Sequence, residues 1–175
     1  MRKPAKLPVL FSETEIRARV AALAREIAAM PDRPELVLPI LVGGFVFAAD
    51  LLRALDTCGL PLPVEFLQLR SYGQARVAQS EIRVLLGPGE SVRGRHVLLI
   101  DGVLDHGHTL KTARELALAA GARLVTTAVV IDKRRPEALL QADFAAFADM
   151  GQFVVGYGMD AAGRLRSLPY VTFVE

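Results

Sequence analysis

The chain has 175 residues, 52% of them apolar and 23% charged, which fits about one globular domain spanning residues 1–175 and excludes general disorder. Its 21 basic against 19 acidic residues leave a net charge of +2, too small for a dedicated nucleic-acid binder, and its one cysteine, Cys58, excludes an internal disulfide and fits a reducing, cytoplasmic setting. The longest strongly apolar stretch, residues 37–49, is shorter than the ~20 residues of a membrane helix and is interrupted by Pro39, Gly43 and Gly44, so no membrane association is expected.

The basic opening from Met1 to Lys6 is followed by the polar Ser12, Glu13 and Glu15 rather than an apolar run, so no secretory signal is expected. Ser12-Glu13-Thr14-Glu15 has the form of a capping box. Ile16, Val20, Leu23 and Ile27 then recur at helical spacing and predict an amphipathic helix that stops before Pro31 and Pro34. Residues 37–41 predict a buried strand, with Pro39 as an anomaly because it brings no ladder donor. Residues 45–55 are helical in pattern and are closed by Gly59. Residues 64–69 predict the next strand, and the polar residues 71–80 predict a mobile loop. Beyond the turn at Gly87-Pro88-Gly89, residues 96–100 predict a fully buried strand, 101–108 a loop, 109–120 a helix stopped by Gly121, and 124–131 another buried strand. Shorter apolar runs at 144–147, 153–157 and 170–174 are expected to finish the sheet and its edge. Strands alternating with helices imply an α/β fold, a mostly parallel twisted sheet with helices on both faces.

The informative stretch is Val97-Leu98-Leu99-Ile100-Asp101-Gly102-Val103-Leu104-Asp105-His106-Gly107-His108-Thr109. A buried strand runs into carboxylates, passes a short glycine-containing loop and opens a helix at a hydroxyl residue. In an open α/β sheet the carboxyl ends of the strands form the ligand crevice, and a helix N-terminus offers free amides and a positive dipole end. That combination suits a phosphate on the helix, with carboxylates nearby for a sugar or a hydrated magnesium ion. A plain connection in which Thr109 merely caps the helix is the alternative. Asp101, Asp105, His106 and His108 also have side chains suited to zinc or manganese, although a loop leading into a helix fixes no ligand geometry.

The same run resembles the phosphoribosyl-pyrophosphate signature of type I phosphoribosyltransferases: an apolar strand, two acidic residues, two apolar residues, then Asp-Thr-Gly-x-Thr. Leu41-Val42-Gly43-Gly44-Phe45 is similar to the Leu-Lys-Gly-Gly-Phe loop of the hypoxanthine-guanine branch, and Arg70-Ser71-Tyr72-Gly73 to its Ser-Ser-Tyr-Gly motif. Asp132-Lys133-Arg134, the stretch from Phe153 to Asp160, and Arg164-Leu165-Arg166-Ser167-Leu168-Pro169 match that branch in order and spacing. The resemblance implies the type I fold with a small hood from the terminal segments. It also implies transfer of a phosphoribosyl group from phosphoribosyl pyrophosphate to hypoxanthine, guanine or xanthine, with Mg2+ as cofactor and a homo-dimer or homo-tetramer as the assembly.

Carried over by the resemblance, Asp105, His106, Gly107, His108 and Thr109 cradle the 5-phosphate, Asp101 holds the sugar hydroxyls, and Asp105 is the catalytic general base. Val42, Gly43, Ser71, Tyr72 and Arg166 contact the pyrophosphate, and Asp101 and Asp160 serve the metal. Lys133 reads the 6-oxo group of the purine, where a cation favours hypoxanthine and guanine over adenine. Phe153 stacks on the base and the backbone of Val154 meets its edge, with Asp160 close to the purine's 2-position. Read without the resemblance, Lys133 is a solvated lysine, Phe153 a core residue, and Asp160 and Arg166 surface charges.

Several departures fall inside the motifs. Gly102 stands where the branch has its second acidic residue, His106 replaces the threonine of the signature, Val42 replaces the lysine of the Gly-Gly loop, and Arg70 replaces a small residue. These departures keep a second reading open, a catalytically weakened relative that binds phosphoribosyl pyrophosphate or a purine nucleotide as a sensor.

Overall fold

Ser12 begins the first helix as its sequence dictates. Its hydroxyl accepts the Glu15 amide at 3.3 Å, and the Glu15 carboxylate accepts the Ser12 amide at 2.8 Å. Helix α1, Glu13–Ala28, buries Ile16, Val20, Leu23, Ala24 and Ile27 along one face. The computed structural model describes residues 7–72, 81–148 and 151–174. After α1 come β1 (Leu36–Leu41), α2 (Phe45–Thr57), β2 (Leu67–Tyr72), β3 (Glu81–Leu86), a single 3-10 turn (Glu90–Val92), β4 (His96–Leu104), α3 (His108–Ala119), β5 (Leu124–Asp132) and β6 (Phe144–Ala148).

Six of these strands form one sheet in the order β3-β2-β1-β4-β5-β6, parallel except for β3, which runs antiparallel to β2. Alternation along β4 divides the core between the two faces. Leu98 and Ile100 pack in the cluster with Phe47, Leu51 and Leu55 of α2 and the buried face of α1. Val97 and Leu99 pack in the cluster with Leu110, Ala113 and Ala117 of α3. Helices therefore cover both faces, which is why the central strands β1, β4 and β5 are buried at nearly every position and are mostly apolar. Pro39 sits inside β1 opposite Ile100 of β4, while the ladder to β2 begins only at Ile40, so its missing N–H interrupts little.

The strand ends differ from the sequence reading in instructive ways. β4 continues through Asp101 to Leu104, where a loop was expected, because the equally long β5 pairs with it up to Leu104 opposite Asp132. The strand expected at 64–69 begins at Leu67; Val64 makes only an isolated bridge to Val37, next to Pro61 and Pro63. Ser71 and Tyr72 end β2 rather than opening a loop, while their side chains and residues 73–80 of the expected mobile loop lie outside the described residues. β3 was not anticipated: Val84, Leu85 and Leu86 are consecutive and each about half-exposed, so no burial pattern marks the strand.

Of the late apolar runs, only β6 joins the main sheet. β7 (Phe153–Val155) and β8 (Thr172–Val174) instead form a separate antiparallel pair, to which the N-terminal segment is tied by Leu10 donating to the Val171 carbonyl at 2.9 Å. This is the hood built from the terminal segments. Among the described residues no helix is long and apolar enough to cross a membrane.

Candidate active site

The chain leaves β1 through α2 toward β2 on one side and leaves β4 through α3 toward β5 on the other, while β1 and β4 are neighbours. A crevice therefore opens beyond their carboxyl ends, the place where such sheets hold ligands. It contains a cavity of about 360 Å³ lined by Leu41, Val42 and Gly43 after β1, by Asp101, Gly102, Val103 and Asp105 at the end of β4, by Thr109 of α3 and by Lys133 after β5. Phe153, Val154, Met159, Asp160 and Arg166 close it from the hood side. His106, Gly107 and His108 share with Asp105 and Thr109 an adjoining cavity of about 180 Å³. A separate groove of about 410 Å³ between α1 and α2 contains none of the site residues expected from the sequence.

Asp105 sits between cations. Lys133 Nζ lies 3.2 Å from its Oδ2, and Arg135 donates from Nε to its Oδ1. Burial by itself would raise this carboxyl, but the hydrogen bonds from Arg135 and Lys133 outweigh it and hold the group below the usual carboxylate range. The carboxylate is therefore ionised at neutral pH. Lys133 is only 4% exposed and its amide donates to the Leu104 carbonyl at 2.9 Å, so it is no solvated lysine.

Asp101 has the opposite environment. Part-buried in the last half of β4, it accepts only the amide of Gly102 among the described residues, at 2.7 Å, and burial pushes its carboxyl up to about 7 against that hydrogen bond. The folded chain thus keeps a proton that the unfolded chain, with the ordinary value of 3.8, gives up. Stability from the neutral form is complete below about pH 4 and is lost as pH rises through about 7. The melting temperature of Asp101→Asn, which cannot ionise, should therefore climb relative to the parent between those limits, by about 2–8 °C, and then level off. A difference that stays constant with pH would contradict this environment.

Gly102 is a packing glycine as well as a missing acid. A Cβ there would lie 3.0 Å from both the Gly43 carbonyl oxygen and Met159 Cγ, closer than side chains normally approach backbone. The cis peptide of this loop joins Leu41 to Val42, one bond before the Val42-Gly43 peptide, and Val42 is 44% exposed. Restoring the branch's acid as Gly102→Asp should therefore destabilise the fold by about 1–3 kcal/mol through overpacking, read as a lower melting temperature. An unchanged melting temperature would show that the loop gives way.

At α3 the N-cap is Gly107, with φ +85°, a conformation glycine adopts without a Cβ penalty, and no side chain caps the helix. Thr109 is thus inside the first turn rather than the cap, and the amides at the helix start remain available to an anion. The suggested zinc or manganese cluster is not formed: among the described residues no three His, Cys, Asp or Glu side chains gather for a metal. His106 instead sits 3.3 Å from Asp105 Oδ1 and 3.9 Å from Glu137.

On the hood side Phe153 is 56% exposed although apolar, so it is not a core residue, whereas Val154 is buried. Arg166 donates to the Gly158 carbonyl at 2.6 Å and pairs with Asp160 Oδ1 at 2.5 Å; Asp160 Oδ2 accepts the Gly163 amide at 2.6 Å. Both are therefore part of the fold's internal bonding rather than loose surface charges. On β2, Leu69 lines the cavity and its neighbour Arg70 does not, as alternation along a strand requires. Arg135 was missed from the sequence. Its only signal is its place in the basic run Lys133-Arg134-Arg135 directly after a buried strand.

The phosphoribosyl transferase domain family matches residues 10–162. The hypoxanthine-guanine phosphoribosyltransferase of Aquifex aeolicus is 36% identical over 173 residues, covering 97% of this chain and 96% of its own. That of Bacillus subtilis is 36% identical over 165 residues, with 93% and 90% covered. Among solved structures, a point mutant of Trypanosoma cruzi hypoxanthine phosphoribosyltransferase, in a ternary complex with substrates, superposes with a TM-score of 0.84 at 32% identity, covering 95% of this chain and 94% of that one.

Proposed function

Because the chain belongs to the hypoxanthine-guanine phosphoribosyltransferase family, we propose that its cavity carries out purine salvage with the residues assigned below. The enzyme transfers the 5-phosphoribosyl group of phosphoribosyl pyrophosphate to a ring nitrogen of hypoxanthine or guanine, with xanthine as a third candidate base. The bond from the sugar's anomeric carbon to the pyrophosphate oxygen breaks, a carbon–nitrogen bond forms, and the purine gives up one ring proton.

The observation that carries this reading is the pairing of Asp105 with Lys133 in the cavity that Phe153 borders and that meets the open N-terminus of α3. Asp105, ionised between its cations, accepts the ring proton. Lys133 donates to the 6-oxo group, Phe153 stacks on the base, and Val154 and Asp160 border its remaining edge. The amides of Gly107, His108 and Thr109, together with the Thr109 hydroxyl and the His106 ring, hold the 5-phosphate. Asp101 binds the sugar hydroxyls alone, since Gly102 brings no side chain. Val42, Gly43 and Arg166 border the pyrophosphate, where a fixed cation stabilises the charge of the departing group, and the family resemblance assigns Ser71 and Tyr72 to the same group.

Asp101 and Asp160 offer hard carboxylate oxygens on one cavity, a donor set that fits Mg2+, which keeps water and substrate oxygens as its other ligands. When bound there, Mg2+ supplies charge neutralisation on the pyrophosphate.

The sensor alternative finds no support, since the relatives bear transferase names. The chain works in the cytoplasm as one domain and as a homo-dimer or homo-tetramer; the half-exposed apolar residues of edge strand β3 support an association face. Incubation with phosphoribosyl pyrophosphate, Mg2+ and each purine in turn, with mass identification of products, tests the function. Inosinate and guanylate are expected, and their absence would overturn the reading.

A further inference from the structure

Asp105 carries a cation on each of its oxygens, and only one of the two lines the cavity. Lys133, beside Oδ2, does so, whereas Arg135, which donates from Nε to Oδ1, does not. We propose that Arg135 is a positioning residue for the transfer, gripping the far side of the Asp105 carboxylate so that the other oxygen stays turned toward Lys133 and the incoming purine. This rests on the functional reading above and adds a residue to it.

The placement of Arg135 is built by the chain on either side. The Lys133 amide donates to the Leu104 carbonyl at 2.9 Å, extending the ladder between β4 and β5 beyond Asp132. Asp132 Oδ1 then accepts the Arg134 amide at 2.8 Å, and Arg134 takes a left-handed φ of +49°, a side-chain-supported turn that swings the chain back over the loop between β4 and α3. Farther along, the Leu139 amide donates to the His106 carbonyl at 3.0 Å and ties the two loops together again. Arg135 lies between these ties with its side chain 29% exposed. A guanidinium with a rigid, planar set of donors fixes the orientation of a carboxylate better than the compact charge of a lysine does.

The groups facing Asp105 are Lys133 and Arg135 from the segment after β5 and His106 from its own loop, with Glu137 on the other side of the His106 ring. Among the described residues, removing Arg135 leaves Lys133 as the one permanent cation on the carboxylate. The Asp105 carboxyl should then titrate at a higher pH, and the carboxylate should be freer to rotate.

The test compares Arg135→Ala, Arg135→Lys, Asp105→Asn and the double variant Asp105→Asn/Arg135→Ala. Arg135→Ala should lower kcat roughly 10- to 100-fold. The KM for phosphoribosyl pyrophosphate should stay within about twofold, and Arg135→Lys should recover part of the loss. In the Asp105→Asn background the second substitution should cost nothing further, because Arg135 acts through that carboxylate. Carbon-13 titration of the Asp105 carboxyl, which needs no turnover, should move upward in Arg135→Ala. An unmoved titration, a parent-like kcat in Arg135→Ala, or a further loss in the double variant would overturn the proposal. If the parent itself makes no nucleotide, it is the functional reading that fails, and the titration alone then decides whether Arg135 governs Asp105.

Discussion

Asp105→Asn should lower kcat for nucleotide formation roughly 100- to 10,000-fold, the usual contribution of a positioned general base. An amide keeps the shape of the carboxylate and one oxygen that accepts from Lys133, but it cannot take the purine's ring proton. Donor binding should change much less, because the α3 amides and Arg166 are untouched. The parent carboxyl is held below its ordinary range by Arg135 and Lys133, so Asp105 itself gives no fall in activity as pH drops from 7 toward 5. Steady-state kinetics on both proteins over that interval check both statements. A loss below tenfold would remove Asp105 from the proton transfer.

Lys133→Ala should lower kcat/KM for hypoxanthine roughly 10- to 150-fold, the range for losing a hydrogen bond to a charged group. It should also narrow the preference for hypoxanthine over adenine. In the proposed site the 6-oxo group accepts from the ammonium, while adenine's 6-amino group is itself a donor and meets a cation unfavourably. The lysine is almost fully enclosed, and in this structure its Nζ is already committed to Asp105, so one ammonium would link the proposed base-reading and proton-accepting parts of the site. Removing it should therefore also raise the Asp105 carboxyl, with Arg135 left as its partner. Competition between hypoxanthine and adenine, followed by product mass, reads the preference; an unchanged ratio would place base selection elsewhere.

Much of this site was legible in the sequence because its motif residues fall at strand ends and helix starts, where the fold class fixes their meeting point. Asp101, Asp105 and Lys133 lie at or just beyond the carboxyl ends of β4 and β5, and parallel pairing in register makes them neighbours. Phe153 and Asp160 were legible through the family resemblance alone, since nothing in their local pattern tells a lining residue from core or surface. What stayed hidden depends on backbone geometry that composition does not carry. Arg135 reads as one more surface charge until the left-handed Arg134 turns it toward Asp105. Gly102 reads as a lost carboxylate until the close approach of Gly43 and Met159 gives the glycine a packing reason. β3 has apolar residues exposed in succession, so neither strand alternation nor burial announced it.

The most direct measurement is phosphorus-31 NMR of the parent protein with phosphoribosyl pyrophosphate, Mg2+ and hypoxanthine. The account predicts loss of the donor's signals with equal gain of pyrophosphate and a nucleoside 5-monophosphate, dependent on the purine. Donor signals that persist, or decay to ribose 5-phosphate at the same rate with and without the base, would contradict it.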